Sequence, residues 1–600
     1  MPLATRHAIW ARLLIAVACA EGLCAVALAM RHAEDGALGS GSALFWLGIG
    51  LVVGPIACRL LAPGVAWPEV LAWLLVLAAA LYWVKILRSP GVFTLHDEFM
   101  HWRTAQDIAD GQGLLSVNPL NPPSARYPGL ELATNAFAGA TGLSLVSAGL
   151  LLIGLAKCVL VGAMAIILRT LGAGPRATAL GVMLYAGNPL FLFWSSQFAY
   201  ESFALPLAVL CLYGTIAAAG AAPERMRGWV IAVAAGAALV LTHHLTSWAM
   251  GLALLAIAGF IAVAPSRWRG DLRARPFLVI GALTVAAGAA WLAGVAWSAL
   301  AYVGAPIRRG FADAVSVLLG DAPSRTLFAS PGTTPPVWER AIAVLAVLLA
   351  TGFIVTAVWR LYRRRPVRPF VVAAAAGALL YPVSVGLRFA DGGQELANRI
   401  GAVLFIPAAI VVGLTWKAPR DHVRRLAVTA ALLVIIGGGA VTGFARYARL
   451  PGPYLVSAGP RSVDPAALQA TLWTRANYGT GERLAATSTQ ALLLGSLGRQ
   501  TPLSSINAEN MSPLFFGAAL GPAQLELLRR QRVALLVADA RVTRMLPQDR
   551  AFVERGEPGD GRHTAPLPAA NLAKYDRAVG VSRVFDNGAV RVYDARAATR

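Results

Sequence analysis

The sequence predicts an α-helical polytopic membrane protein of about 13 transmembrane helices, followed by a C-terminal extracytoplasmic α/β domain. Three observations predict it. Apolar runs of about 18 residues or more, each long enough to cross a bilayer, recur along the first three-quarters of the chain. Arginines gather in alternate connections between those runs. From Leu450 onward the runs shorten and Asp, Asn, Gln and Thr become frequent.

Composition supports the class. The chain is 57% hydrophobic and 14% charged, against roughly 45–50% and 25% in an average soluble protein. The net charge of +22 does not indicate a nucleic-acid partner, because the arginines lie between apolar runs, where they hold cytoplasmic loops in place. All five cysteines (Cys19, Cys24, Cys58, Cys158 and Cys211) fall inside apolar runs. The C-terminal region therefore has no disulfide framework, and the chain shows no Cys/His metal spacing.

In chain order the expected spans are 12–30, 43–62, 68–87, 145–168, 177–193, 200–220, 228–242, 247–264, 277–302, 339–359, 369–387, 398–416 and 425–445. The first follows Met1–Arg12 like a signal sequence. Its apolar stretch is longer than the roughly 7–15 residues of a signal peptide, so an uncleaved span is expected. With the N-terminus in the cytoplasm, the arginine-bearing connections all fall on one side, from Arg59 through Arg169/Arg176, Arg225/Arg227, Arg267–Arg275 and Arg360–Arg368 to Lys417–Arg425. This is the orientation of a cytoplasmic (inner) membrane protein. It places outside the loop Arg88–Gly142, the turns Trp194–Tyr200 and His243–Trp248, the loop Tyr302–Trp338, the turn Arg388–Arg399 and everything after about Ala445. Two domains are expected: a membrane bundle over 1–447 with a first outer loop at 88–143, and an extracytoplasmic domain over 448–600. In the latter, Ala466–Arg475 and Ala523–Arg530 have helical spacing, while Val533–Ala538 and Ala589–Tyr593 read as strands, the second after the turn Asp586-Asn587-Gly588.

Four outside segments carry groups suited to chemistry. The first is Thr94-Leu95-His96-Asp97-Glu98-Phe99-Met100-His101-Trp102-Arg103, continuing through Ala105, Asp107 and Ile108. Ala105, Ile108 and Ala109 make one apolar stripe, so an amphipathic helix is expected to start near Asp97 and lie along the interface. An acid in its first turn is favoured by the helix dipole, and an ordinary helix start accounts for the same residues. The second segment is Ser195–Ser202, in which Gln197, Tyr200 and Glu201 are placed to hydrogen-bond sugar hydroxyls or simply to begin a span. The third is His243-His244, placed for a phosphate or an acceptor, or for a polar interfacial turn; adjacent histidines without a third ligand are not a zinc site. The fourth is Gln394–Arg399, where Glu395 and Arg399 are four apart on one helical face and could pair. Arg399 stands at headgroup level, where a guanidinium suits a lipid phosphate or snorkels to its own glutamate. Lys157, mid-span, is expected in a structural hydrogen-bonding role.

Asp97-Glu98-x-x-His101, then Ala105-x-Asp107-Ile108, then a glycine and Tyr127-Pro128-Gly129, resembles the first outer loop of GT-C glycosyltransferases. Within them it is similar to the protein O-mannosyltransferases and the lipid A aminoarabinose transferases. The likeness spans about 60 residues, the rest agreeing in architecture only. It implies a GT-C bundle, a donor sugar on a polyprenyl or dolichyl phosphate, transfer usually with inversion, and an acidic residue or pair in this loop. Under that reading Asp97 is the general base for an acceptor hydroxyl, and Glu98 orients it or joins it on Mg²⁺ or Mn²⁺. His101, Tyr127, Gln197, Tyr200, Glu201, His243, His244, Glu395 and Arg399 are candidates for binding donor or acceptor. The expected partners are a polyprenyl-phosphate-linked sugar, membrane lipid, and a glycan, lipid or protein acceptor. The alternatives are a transporter or flippase of lipid-linked glycans, a non-catalytic envelope assembly protein, and a ligase of whole lipid-linked oligosaccharides. No inverted repeat or interrupted helix supports the transporter.

Overall fold

The computed structural model describes residues 3–599 except 222, 266, 267, 269, 271, 322, 324–326, 329–334, 364–367, 391, 392, 418 and 420. The chain forms two compact units. One gathers Met1–Pro90, Gly149–Phe328 and Pro335–Arg446; the other joins Gly91–Ala148 to Tyr447–Arg600.

Among the described residues, twelve helices are long and apolar enough to cross a membrane, and the protein is a multi-pass membrane protein. In the first unit, consecutive helices pack as hairpins: Leu3–Glu34 on Leu38–Leu60, Tyr200–Ala219 on Arg225–Thr242, and His244–Val263 on Ala274–Gly294. Glycines face each other across these contacts. A Cβ on Gly22 would sit 2.8 Å from the Gly48 carbonyl and one on Gly48 2.6 Å from that of Gly22. Gly214 and Gly228 stand in the same relation, as do Gly251 and Gly281. In lipid, apolar side chains have nothing to gain from leaving solvent. Close backbone approach through small residues then supplies the packing.

The segment 177–193 is not a full span. Its helix, Pro175–Ala186, has 12 residues, about 18 Å of rise against a hydrocarbon core of about 30 Å. The helix stops where Gly187-Asn188-Pro189 begins, because Pro189 has no amide to donate and its ring disfavours helical geometry at Asn188. Asn188 satisfies the freed groups: its amide donates to the Tyr185 carbonyl at 2.8 Å, and its Oδ1 accepts from Leu190 N at 3.0 Å. Hydropathy alone predicts a span here because it registers apolar side chains and not these breaks. A second difference lies at 277–302. The span ends at Gly294, and a separate amphipathic helix, Ala299–Leu319, occupies part of what was expected to be a loop.

The second unit is built on a five-stranded sheet: β1 Arg483–Ala486, β2 Thr501–Pro502, β3 Leu535–Asp539, β4 Ser582–Asp586 and β5 Val590–Asp594, in the order β2-β1-β3-β5-β4. β1 pairs parallel with β2 and with β3 (Leu484 opposite Leu535, Ala486 opposite Val537), whereas β5 runs antiparallel to β3 and β4. Every residue of β3 is buried, as expected of a central strand covered on both faces. Its alternating side chains feed two cores, Leu536 and Ala538 with Tyr593, Tyr575 and Phe515 on one face, Leu535 and Val537 with Val592, Leu484 and Ala470 on the other. The β4–β5 hairpin turns at Gly588, whose φ is +84°, with Asn587 Oδ1 accepting from Val590 N at 2.9 Å. The helices Pro465–Tyr478, capped by Asp464, and Pro522–Gln531 lie where helical spacing predicted them, and β3 and β5 are the two predicted strands.

Candidate functional residues in each unit

In the second unit the chain enters a helix, His96–Ala109, through an extended Leu95. Glu98 folds back on this start. Its Oε2 accepts from Thr94 N at 3.1 Å and Leu95 N at 3.2 Å, and the side chain is fully buried. It therefore supplies the acid half of a capping box, with no returning bond because Leu95 has no side-chain acceptor. Asp97, in the same first turn, keeps its carboxyl 32% exposed, with Oδ1 3.7 Å from His96 Nδ1. The two adjacent acids thus differ in environment: Glu98 is buried and accepts from backbone amides, and Asp97 is part-exposed at the helix start.

One turn on, His101 is buried and its Nδ1 lies 2.6 Å from Glu131 Oε1. Glu131 sits in the first turn of the following helix, Gly129–Thr141. That partner was not foreseen, although an acid just after Pro128-Gly129 marks a helix start. Tyr127 is buried ahead of that helix, and burial pushes its phenol pKa up to about 12, so the ring acts as a neutral group at physiological pH. Asn118 ties the intervening loop back, donating to the Met100 carbonyl at 2.8 Å and the Thr104 hydroxyl at 2.9 Å.

In the first unit, Lys157 is fully buried. Its ammonium donates to the Phe191 carbonyl and, at 2.5 Å, to the Ser196 hydroxyl, and it lies 4.1 Å from the Phe191 ring centroid. It braces the turn Trp194–Ser196, which delivers the buried Gln197 and then the helix starting at Tyr200. Lys157→Met would remove this charged donor and leave the Phe191 carbonyl only the Ser195 hydroxyl, which donates to it at 2.9 Å. We expect a loss of about 1–3 kcal/mol, measured as a lower thermal midpoint in detergent at unchanged helix content.

Tyr200 meets both histidines. Its ring is edge-on to His243 at 4.4 Å between centroids and 6.0 Å from His244, and the two imidazoles are 4.9 Å apart. His243 is the single residue between the helices Arg225–Thr242 and His244–Val263, and its Nδ1 lies 2.7 Å from Thr246 Oγ1. Glu201 pairs with Arg399 at 3.6 Å, both groups part-exposed, and Arg399 is near enough to act electrostatically on His244. The structure therefore gathers Tyr200, Glu201, His244 and Arg399 from three helices, together with His243 between two of them and Gln197 three residues before Tyr200. The Arg399 pair expected with Glu395 is not described, because the side chains of Gln394 and Glu395 lie outside the described residues. The pair that is described joins Arg399 to a different helix.

A guanidinium paired with a part-exposed carboxylate, near two imidazoles and a phenol, suits an anionic headgroup with hydroxyls attached. The Asp97 carboxylate suits proton abstraction. Among the described residues, no three of His, Cys, Asp and Glu gather where they could hold a cation.

No family model matches the chain, and no curated protein matches it. Solved structures do. Arabinofuranosyltransferase AftD from mycobacteria superposes over 87% of this chain with a TM-score of 0.50 and 15% identity; the chain spans only 41% of that protein's length. ArnT from Cupriavidus metallidurans, in a structure bound to undecaprenyl phosphate, superposes over 88% of this chain and 98% of its own, with a TM-score of 0.52 and 11% identity. Both are GT-C glycosyltransferases, and the fold expected from the loop motif is the one observed: this chain is a polytopic membrane protein with the fold of those structures.

Proposed function

We propose that this protein is a membrane glycosyltransferase that moves a sugar from a polyprenyl-phosphate carrier to a cell-envelope acceptor on the extracytoplasmic face of the inner membrane. The observation that carries the reading is the contrast within Asp97-Glu98: one acid is buried against the backbone at the start of the loop helix, and its neighbour keeps a part-exposed carboxyl there. Fold alone does not establish an activity, and the roles rest on these side chains. The undecaprenyl phosphate bound in the ArnT structure supports a carrier of that class here. The arginine pattern of the connections supports a cytoplasmic N-terminus and an extracytoplasmic C-terminal domain.

In the proposed step Asp97 takes the proton of the acceptor hydroxyl as its oxygen bonds to the anomeric carbon, and the bond from that carbon to the phosphate oxygen breaks. The carrier leaves as polyprenyl phosphate, and attack from the opposite face inverts the anomeric centre. Arg399, with the His243/His244 pair, holds the phosphate; Gln197, Tyr200 and Glu201 bind sugar hydroxyls. The test is release of polyprenyl phosphate by the protein in nanodiscs from a panel of lipid-linked sugars, with an EDTA arm and Mg²⁺ or Mn²⁺ add-back. Turnover that survives EDTA fits a base acting through its own carboxylate. Turnover restored only by the cation would make Asp97 a metal ligand. Transport of a lipid-linked sugar with no release of carrier phosphate would overturn the transferase. Arg399→Ala is expected to raise the donor KM about tenfold or more, the worth of a hydrogen bond to a charged group. A KM unchanged from wild type would remove Arg399 from donor binding.

A further inference from the structure

The loop helix carrying Asp97 is held by a buried ionic clamp whose other half lies almost 400 residues away in the sequence. Asp107, on the face of the helix turned to the sheet domain, receives two guanidinium groups. Arg103 Nε lies 2.9 Å from Asp107 Oδ2, and Arg499 Nη1 2.6 Å from Oδ1. Arg499 also reaches Asp110 at 2.8 Å. Arg103 crosses in the other direction, donating to the Gly495 carbonyl and, at 3.2 Å, to that of Gln500. Arg103, Asp107 and Arg499 are all buried.

Further contacts surround the clamp. A Cβ on Gly495 would lie 2.5 Å from Leu120 Cδ2, so Leu120 packs directly on the glycine and would have to shift for any larger residue. Asn507 donates to the Pro119 carbonyl at 2.8 Å. Arg499 has φ +58°, a left-handed conformation that bulky residues seldom adopt, and it holds its side chain against Asp107 and Asp110. Three charges withdrawn from water are an expensive way to gain stability, since apolar residues pack as well or better. Their use is to fix one register of the helix against the domain.

We propose that Arg103 and Arg499 are positioning residues: with Asp107 they lock the loop helix to the C-terminal domain and so hold Asp97 in the register that sugar transfer needs. This rests on the transferase reading above, and it gives the C-terminal domain, which has no catalytic motif, a part in the reaction. Neither arginine touches the reacting groups; both act through the helix.

The test uses the full-length protein in nanodiscs, with two readouts. Amide hydrogen exchange over 96–109 reports the lock without reference to activity, and kcat and donor KM report the reaction. Arg499→Met is expected to speed exchange of the loop helix about tenfold while β3 keeps its protection. It should lower kcat about 10²-fold, the scale of a 1 Å misplacement, with donor KM about unchanged. Arg499→Lys, which can serve Asp107 or Asp110 but not both, should recover part of the lost kcat. Asp110→Asn, which removes only the exposed arm, gives a folded variant should Arg499→Met fail to assemble, and it should shift both readouts in the same direction by less. Wild-type exchange in Arg499→Met and Asp110→Asn would overturn the lock. Faster exchange with wild-type kcat would overturn the positioning role. A wild type that turns over no donor sinks the transferase reading and the positioning role with it, and the exchange data would then show separately whether the lock exists.

Discussion

Under the proposed function, Asp97→Asn is expected to leave a folded protein that has lost sugar transfer. Turnover is expected to fall about 10²–10⁴-fold, the contribution of a positioned general base, at a stability within about 1 kcal/mol of wild type because the side chain is part-exposed. Asparagine keeps the shape of the side chain and its hydrogen-bonding capacity at the helix start but cannot accept the acceptor's proton. The paired control is Glu98→Gln. Its amide oxygen can still accept from Thr94 N and Leu95 N, so the helix start is preserved and turnover should largely remain. Release of polyprenyl phosphate and thermal midpoint, measured on the same preparations, decide the matter. Turnover that survives in Asp97→Asn would return Asp97 to the role of an acid favoured by a helix N-terminus. A loss in Glu98→Gln as deep as in Asp97→Asn would make the two acids a working pair.

Asp107→Ala is expected to be the most damaging single change in the second unit, costing about 3–5 kcal/mol. The reason is electrostatic. Asp107 is the shared counter-charge of Arg103 and Arg499, both buried, and a guanidinium stripped of its partner cannot lose its charge at any accessible pH. Arg103 would keep only backbone carbonyls, and Arg499 only the part-exposed Asp110. Chemical unfolding followed by the fluorescence of Trp102 and Trp473, both in this unit, would report the loss. A triple replacement, Arg103→Met with Asp107→Leu and Arg499→Met, separates charge from register. Stability should return in large part, since a buried ion network is often matched by well-packed apolar residues, while turnover stays low because the directional lock is gone. An Asp107→Ala variant as stable as wild type would mean that water reaches the two guanidinium groups.

Much of the architecture was legible because its cause is local. A stretch of about 20 apolar residues crosses a membrane whatever its neighbours do, so twelve of the expected spans correspond to helices. The loop helix at 96–109 and the strands β3 and β5 were also readable, from acids at a helix start, a period-matched stripe and short β-branched runs. Where hydropathy misled, at 177–193, the deciding feature was a backbone one: Gly187-Asn188-Pro189 stops a helix without changing the average apolarity. β1, β2 and β4 were not readable. β2 has two residues, β1 has four, and β4 is an exposed strand with a bulge between Arg583 and Phe585, so none shows a usable period.

The residues of the candidate site divide in the same way. The sequence by itself determined the membrane class, the position of the acidic loop, and the side chains able to take a proton or face a phosphate, because each depends on residue type and on neighbours within a few positions. Only the tertiary structure decided their partners: Glu98 with the backbone of Thr94 and Leu95, His101 with Glu131, Lys157 with Phe191 and Ser196, Arg399 with Glu201, and Asp107 with Arg103 and Arg499. An ion pair or a buried hydrogen bond depends on distances of a few ångströms between groups that the chain brings together from tens or hundreds of positions apart. Those distances exist only once the helices have packed and the sheet has closed over the loop.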